Sequence, residues 1–395
     1  MKILYIVSQN SWGGATSAVY NLIRYMKAEG HDVYLISNGR DGALIDKIRK
    51  LNVEYYYPAH PYSLTIWPQT YNPLKFVKRL LINVLLRNKE AKKFISEIIS
   101  RIKPDIVHTN VGPLDIALDS CKEQNIPHIW HMREYQDKDF DMHFFPTKGK
   151  FIKRIHSEGN YNIAITDNIF KYWELRKGID KVIYDGVFSE ELLPTTVKVK
   201  EKYILFVGRV EPAKGLDIAL KAFASFRKKY QDDEYKLIVA GEYFSEGPNK
   251  EYKEKCDHFI RENGIKNKVL FLGNRNDVYE LMSKASCMIV ASRFEGFGFI
   301  TVEAMLNHCV VIGRLTGGTK EQLLNGLNYE SSPIAYSFST VEECSERLHE
   351  ALSSDNHDMI NRAYHMVINH YTNEICGKET ERYYESVINK FNNRI

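Results

Sequence analysis

The octapeptide Gly208-Arg209-Val210-Glu211-Pro212-Ala213-Lys214-Gly215 sets a guanidinium and an ammonium between an apolar run, Tyr203 to Val207, and the helical pattern Leu216 to Tyr230. Arginine offers planar paired donors, lysine a mobile point charge, and a helix N-terminus adds oriented amides, so a diphosphate is gripped there from several sides. Taken alone, the octapeptide reads better as solvated cations beside an ordinary turn. A second element changes that. Phe294-Glu295-Gly296-Phe297-Gly298-Phe299-Ile300-Thr301-Val302-Glu303 follows the apolar run Cys287 to Ala291 and brackets two glycines with two carboxylates. Gly296 and Gly298 let a ligand approach the backbone, and the amides of Phe297 to Phe299 can face a phosphate or a developing negative charge. Glu303, about a turn into the next helix, can accept two hydrogen bonds from a vicinal diol such as a ribose. Glu295, in the loop, can do the same for sugar hydroxyls. The plainer readings are a first-turn helix acid for Glu303 and core packing for the phenylalanines, which suits Phe294 best.

Elements able to hold such loops recur along the chain. Apolar runs alternate with helical patterns: Ile3 to Val7, Ala15 to Lys27, Val33 to Ser37 and Ile106 to Thr109, then Tyr203 to Gly208, Leu216 to Tyr230, Lys236 to Ala240, Tyr252 to Asn263, Val269 to Leu272 and Met288 to Ala291. This is βαβ periodicity in two halves, hence two doubly wound parallel-sheet domains, and ligands of such sheets bind beyond the carboxyl ends of the strands. A length of 395 residues calls for two domains. The boundaries expected are an N-terminal domain at 1–187, a linker at 188–200 that lacks periodicity and carries Pro194, a C-terminal domain at 201–371, and a polar helix at 372–395 crossing back to the first domain. The cleft should open beside the linker. Hydrophobic content of 44% with 26% charged residues excludes a disordered chain. Six cysteines without C-x-x-C spacing speak against a zinc site or a disulfide framework and for a reducing cytoplasm. The N-terminal apolar run is too short for a signal peptide and no run suffices for a membrane-spanning helix.

The ordered set of motifs resembles the retaining glycosyltransferases of the GT-B fold, glycosyltransferase family 4. The resemblance runs through Ile3 to Gly14, Glu29-Gly30-His31-Asp32-Val33, Lys103-Pro104-Asp105-Ile106-Val107-His108, the run ending in His131, Phe206-Val207-Gly208-Arg209 with Lys214-Gly215, Val239-Ala240-Gly241, Glu295 to Met305 and Gly317-Gly318-Thr319-Lys320-Glu321. It implies two Rossmann-like domains facing a central cleft, with the donor on the C-terminal side and the acceptor on the N-terminal side. It implies a nucleoside-diphosphate sugar as substrate, with no cofactor and no metal. Arg209 and Lys214 would take the diphosphate, Glu295 the transferred sugar and Glu303 the ribose. Phe297, Gly298 and Phe299 would approach sugar and diphosphate, Gly14 would come near the diphosphate, and His131 would lie beside the reacting sugar. By itself, His131 reads as a satisfied sheet histidine or, at its strand's carboxyl end, as a site residue. Arg133 and Glu134 just beyond read as cleft residues or as a surface ion pair. The leaving diphosphate is thought to help take the acceptor proton on the same face, so that positive charge on the leaving group does most of the catalysis.

Four positions depart from the family. His308 and Val310 replace the usual glycine and proline, Asp185 stands where asparagine commonly precedes glycine, and Asn110 where a second histidine is frequent. Asp137-Lys138-Asp139 and Asp139-Phe140-Asp141 spell D-x-D, but polar residues precede them where an apolar strand is needed, so a solvated loop is the better reading. The stretch Leu74 to Lys103 is strongly basic for a chain of net charge +4. It reads either as a helix pair packed by its apolar stripe or as an attachment to anionic lipid. Tyr62, Trp67 and Tyr71 before it could stack on acceptor sugars, sit at an interface or fold over the core. The function expected is transfer of a sugar to a saccharide acceptor, lipid-linked, in surface polysaccharide or glycoconjugate synthesis, without nucleic acid. The enzyme would be cytoplasmic, with peripheral contact at the inner face of the plasma membrane through residues 74–103. The alternatives are an enzyme acting on a small sugar or sugar phosphate, and an inactive nucleotide-sugar-binding scaffold.

Overall fold

The computed structural model describes residues 1–68, 72–140, 142–189, 198–243 and 246–393. They form two compact units, Met1–Gly186 with the residues from Asn373 on, and Val187–Thr372. Residues 190–197 of the segment read as a linker lie outside the described ones, as do Tyr71 and Asp141.

In the first unit the strands are β1 (Lys2–Val7), β2 (Asp32–Ile36), β3 (Glu54–Tyr56), β4 (Ile66–Pro68), β5 (Ile106–Asn110), β6 (His128–Met132), β7 (Met142–Phe144), β8 (Asn160–Ala164) and β9 (Lys181–Val182). Seven of them form a parallel sheet in the order β3-β2-β1-β5-β6-β8-β9, while β4 and β7 pair antiparallel apart from it. Ile3, Leu4, Tyr5, Ile6 and Val7 are all buried, as a strand covered by helices on both faces requires. The helix Gly14–Ala28 buries Ala18, Val19, Leu22, Ile23 and Met26, one face at helical spacing. The helix Asn373–Asn392 packs into the same core through Tyr383, Tyr384 and Val387.

The second unit repeats the plan with β10 (Glu201–Val207), β11 (Lys236–Ala240), β12 (Val269–Gly273), β13 (Ala285–Val290), β14 (Val311–Arg314) and β15 (Tyr336–Phe338), ordered β12-β11-β10-β13-β14-β15. In both sheets the order reverses beside the first strand, β1 against β5 and β10 against β13. Such switch points leave crevices at the strands' carboxyl ends.

The basic stretch divides in two. The helix Asn88–Ile102 buries Ala91, Ile95, Ile98, Ile99 and Ile102, so its stripe is core. The helical turns Pro73–Arg79 and Leu80–Arg87 before it leave Leu74 81%, Val77 49%, Leu81 51%, Leu85 49% and Leu86 60% exposed. The packed-pair reading holds for the second half and fails for the first. Tyr62, by contrast, is buried and donates to the Val7 carbonyl oxygen at 2.5 Å, so of its readings the fold over the core is the one realised.

Candidate functional site

In the second unit, β10 delivers the chain into Gly208-Arg209 and a short 3-10 turn, Pro212–Lys214, before the helix Leu216–Tyr230 starts. Gly215 makes that start possible. Its φ is +73°, and a Cβ there would fall 2.2 Å from the Ala291 carbonyl oxygen, so only glycine fits. The close approach ties the loop after β10 to the end of β13, where the second motif begins. Across that junction the Lys214 ammonium meets the Glu295 carboxylate at 2.6 Å, and the Ser292 hydroxyl donates to the same oxygen at 2.8 Å. Arg209 is half-exposed and pairs with Glu211 at 3.0 Å.

The Glu295 loop is held from behind by the helix Gly317–Glu330. The Gly318 amide donates to the Glu295 carbonyl oxygen at 2.8 Å, and a Cβ on Gly318 would strike the Phe297 carbonyl oxygen at 2.0 Å. The Gln322 side chain donates to that Phe297 oxygen at 2.7 Å, and Thr301 and Thr319 hydroxyls meet at 3.0 Å. Gly298, at φ +86°, caps the helix Phe299–Leu306, which carries Glu303. The Tyr279 hydroxyl donates to the Glu303 carboxylate at 3.2 Å. Burial raises that carboxyl, and the Tyr279 hydrogen bond partly offsets the rise. Phe297 is buried edge-on against Phe299 at 4.9 Å, whereas Phe294 is 44% exposed. The core-packing reading of Phe294 is therefore corrected: its side chain is too exposed to be part of the core.

In the first unit Gly14 opens the helix Gly14–Ala28, and His131, next to the last residue of β6, lies among buried polar groups. Its Nδ1 lies 3.2 Å from His108 Nε2 and 3.3 Å from Arg133 Nη2. Arg133 is neither a surface partner of Glu134 nor exposed. It is buried, donates to both Asp185 oxygens at 2.5 Å, and donates through Nε to the Asn110 oxygen at 2.6 Å. Burial pushes both His131 and His108 well below the ordinary histidine range, with Arg133 adding to each shift, so both rings are neutral. The D-x-D residues are engaged locally: Asp137 accepts from the Tyr172 hydroxyl and Asp139 from the Tyr135 amide. Among the described residues no group of three or more His, Cys, Asp or Glu side chains could hold a metal.

Burial, with Asp139 adding, pushes the Glu134 carboxyl up to about 7, against opposing pulls from Gln136 and Arg133. A carboxyl raised on folding binds protons more tightly in the folded state, so stability falls as pH climbs from the unfolded to the folded pKa. Glu134→Gln is expected to be more stable than wild type by about 1 to 3 kcal/mol at about pH 8, and equal to it near about pH 4. Thermal melts across that range check it, and parallel curves for the two proteins would contradict the assignment.

The profile of the family described as Glycosyltransferase Family 4 matches residues 12–191, and that of Glycosyl transferases group 1 matches residues 189–366. The chain belongs to the GT-B glycosyltransferases of this type. Among solved structures, this chain is similar to HepE from Anabaena in complex with UDP and glucose, with a TM-score of 0.73 at 18% identity over 98% of this chain and 100% of that one. An uncharacterized glycosyltransferase of Methanocaldococcus jannaschii is 34% identical over 149 residues, 37% of either chain. The N-acetylgalactosamine-N,N'-diacetylbacillosaminyl-diphospho-undecaprenol 4-alpha-N-acetylgalactosaminyltransferase of Campylobacter jejuni is 30% identical over 135 residues, 33% of this chain and 34% of that one. The aligned stretches thus span little more than a third of those two relatives' own length.

At His308, Asp185 and Asn110, three of the positions where this chain departs from its family's pattern, the structure shows what the side chain meets. His308 takes the left-handed conformation, φ +54°, which glycine enters freely and other residues seldom do; its ring is stacked on Tyr364 at 4.5 Å. Asp185 is the counter-ion a buried Arg133 needs, and Asn110 bridges Arg133 to the Ala15 carbonyl oxygen at 3.2 Å, beside Gly14. Sequence reading missed Ser292, Tyr279 and Gln322. Each is an ordinary residue locally, and its role lies in a partner 3 to 25 residues away.

Proposed function

We propose that the chain is a retaining glycosyltransferase that moves a sugar from a nucleoside-diphosphate sugar to a saccharide acceptor, without a metal. The observation that carries this reading is the Lys214–Glu295 pair at 2.6 Å, a cation and a carboxylate juxtaposed at the carboxyl ends of β10 and β13. A nucleotide sugar offers each a better partner: the diphosphate for Lys214 and Arg209, the sugar hydroxyls for Glu295 and the ribose diol for Glu303. Phe297, Gly298 and Phe299 supply backbone amides at a helix start. As the bond from the anomeric carbon to the diphosphate breaks, the acceptor oxygen bonds that carbon on the same face and its proton passes to a diphosphate oxygen. Charge stabilisation of the leaving group supplies the larger part of the rate. A relative that acts on a diphospho-undecaprenol-linked saccharide, and a structural neighbour solved with UDP and glucose, support this choice of substrates. A thermal-shift panel of nucleotide sugars, followed by hydrolysis and transfer assays, tests it. One donor is expected to raise the melting temperature by mass action; no shift and no turnover with any donor sinks the proposal.

The acceptor, on this reading, is lipid-linked, and the exposed strip Leu74, Val77, Leu81 and Leu85 rests on an anionic membrane surface with Lys75 and Lys78 beside it. A cavity of about 560 Å³ next to it is lined by Val84, Lys92, Lys122, Lys150 and Lys153. Each well-placed cation contributes about 1 kcal/mol at an anionic surface. Flotation with anionic but not zwitterionic liposomes is expected, and loss of flotation with Lys75→Glu/Lys78→Glu and with Leu81→Glu/Leu85→Glu. Lys92 is a poor choice for such a test because Asp119 holds it at 3.0 Å. Flotation indifferent to both double variants rules out this surface.

A further inference from the structure

We infer that Arg133, His108 and Tyr384 are positioning residues that lock His131 as the neutral Nε2–H tautomer, leaving one buried N–H directed at an oxygen acceptor of the substrate. One group in this cluster has a hydrogen-bonding role that cannot change. An arginine guanidinium has donors and no acceptor. Arg133 Nη2 at 3.3 Å therefore obliges His131 Nδ1 to present its lone pair, which puts the ring proton on Nε2.

The same step propagates outward. His108 Nε2, 3.2 Å from that lone pair, must carry its own proton, since two bare nitrogens would repel. The two contacts to His131 Nδ1 are of similar length, as expected when one acceptor is shared by two donors. With its proton on Nε2, His108 has a lone pair on Nδ1, and the Tyr384 hydroxyl fills it at 2.5 Å. The Tyr384 hydroxyl is also placed to donate to the Tyr5 oxygen at 3.2 Å, a longer contact than the one at 2.5 Å to His108, where its single proton is held more tightly. The opposite arrangement, with Tyr384 accepting from His108 Nδ1, would need a proton on His131 Nδ1 pointing at a guanidinium. Tyr5, Tyr384, His108 and His131 are all 0% exposed, so no water substitutes for any link.

At the end of the relay His131 Nε2 is buried and has no hydrogen-bond partner among the described residues. An unmet buried donor is costly, and this one stands at the carboxyl end of a central parallel strand, where ligands of such sheets bind. The charged and titratable groups packed around it are Arg133 with Asp185 beyond it, His108 with His128 beyond that, Tyr5 on β1, and Tyr384 and Cys376 on the helix Asn373–Asn392. None donates to or accepts from Nε2. Burial, Arg133 and His108 all disfavour the imidazolium, so His131 acts as a hydrogen-bond donor and not as a proton-accepting base. The substrate half of this inference rests on the function proposed above; the tautomer does not.

The test uses the full chain with ¹⁵N-labelled histidine and two-bond proton–nitrogen spectra, His108 and His131 being assigned from His108→Asn and His131→Asn. The expected result is an unprotonated Nδ1 and a protonated Nε2 at His131, unchanged from about pH 5.5 to about pH 8. A protonated Nδ1, or an imidazolium within that range, overturns the inference. In Tyr384→Phe, which removes one oxygen from the core, His108 is expected to lose its fixed tautomer. Transfer should drop about five- to tenfold in kcat, with KM for the donor unchanged, as for one lost hydrogen bond. Wild-type tautomers and kcat in that variant overturn the relay. A nucleotide sugar should move the Nε2–H proton resonance; no movement with the tautomer intact refutes the function proposed above and leaves the relay standing.

Discussion

Glu295→Ala is expected to lose sugar transfer by at least about 100-fold in kcat while binding the nucleoside diphosphate as tightly as wild type. The geometry separates the two properties. Glu295 holds Lys214 at 2.6 Å and Ser292 at 2.8 Å, so its removal frees the ammonium and leaves the cations at the loop after β10 intact. An ammonium without its carboxylate favours a diphosphate at least as well as before. On the proposed function, what disappears is the acceptor of the sugar hydroxyls, an interaction that matters while the anomeric carbon is reacting. Arg209→Ala is expected to behave differently. Its partner Glu211 then becomes an unpaired carboxylate facing the same anion, so both diphosphate affinity and transfer fall. Calorimetric titration with the nucleoside diphosphate, alongside transfer kinetics, reads both quantities, and intact activity in either variant overturns the division of roles.

The second large effect concerns stability. Arg133→Met leaves Asp185 buried with its counter-ion gone and is expected to destabilise the first unit by about 3 to 5 kcal/mol. Asp185 is 1% exposed, and burial already raises its carboxyl against the pull of Arg133. Replacing both, Arg133→Met with Asp185→Leu, removes the uncompensated charge and should recover most of the loss, because a buried pair exchanged for apolar residues of similar volume is often close to neutral. Urea unfolding of the three proteins checks this. A double variant as unstable as the single one would show that the arginine acts through something other than its charge, the Asn110 contact being the obvious candidate.

The architecture was legible because its determinants are local. Tyr203 to Val207 and Lys236 to Ala240 are apolar runs bounded by polar residues, and they are strands; Leu216 to Tyr230 has helical spacing and is a helix of those bounds. The candidate site residues could be picked out only as an ordered set of glycines and charges after strands, since each piece alone reads as an ordinary turn. What the sequence could not display is pairing. Nothing near Lys214 indicates that its partner is 81 residues on, or that His108 finds Tyr384 after 276. Asp185 looked like an oddity until Arg133 was placed against it. At the apolar strip Leu74 to Leu86 the sequence left two readings open, a packed helix pair or an attachment surface, because helical periodicity marks an apolar face and not what receives it.

The first unit is discontinuous in sequence, and that has a bearing on synthesis. Tyr384, the phenol that orients His108, is made only after every residue of the second unit. On the ribosome the second unit can therefore close before the first has its helix Asn373–Asn392, and until then Tyr5, Ile3 and His108 lack the side chains that pack against them from that helix. Maturation of the histidine site thus waits for residues that follow the whole second unit, and a nascent chain stalled before residue 373 would carry the strands of the site without the means to set its protons.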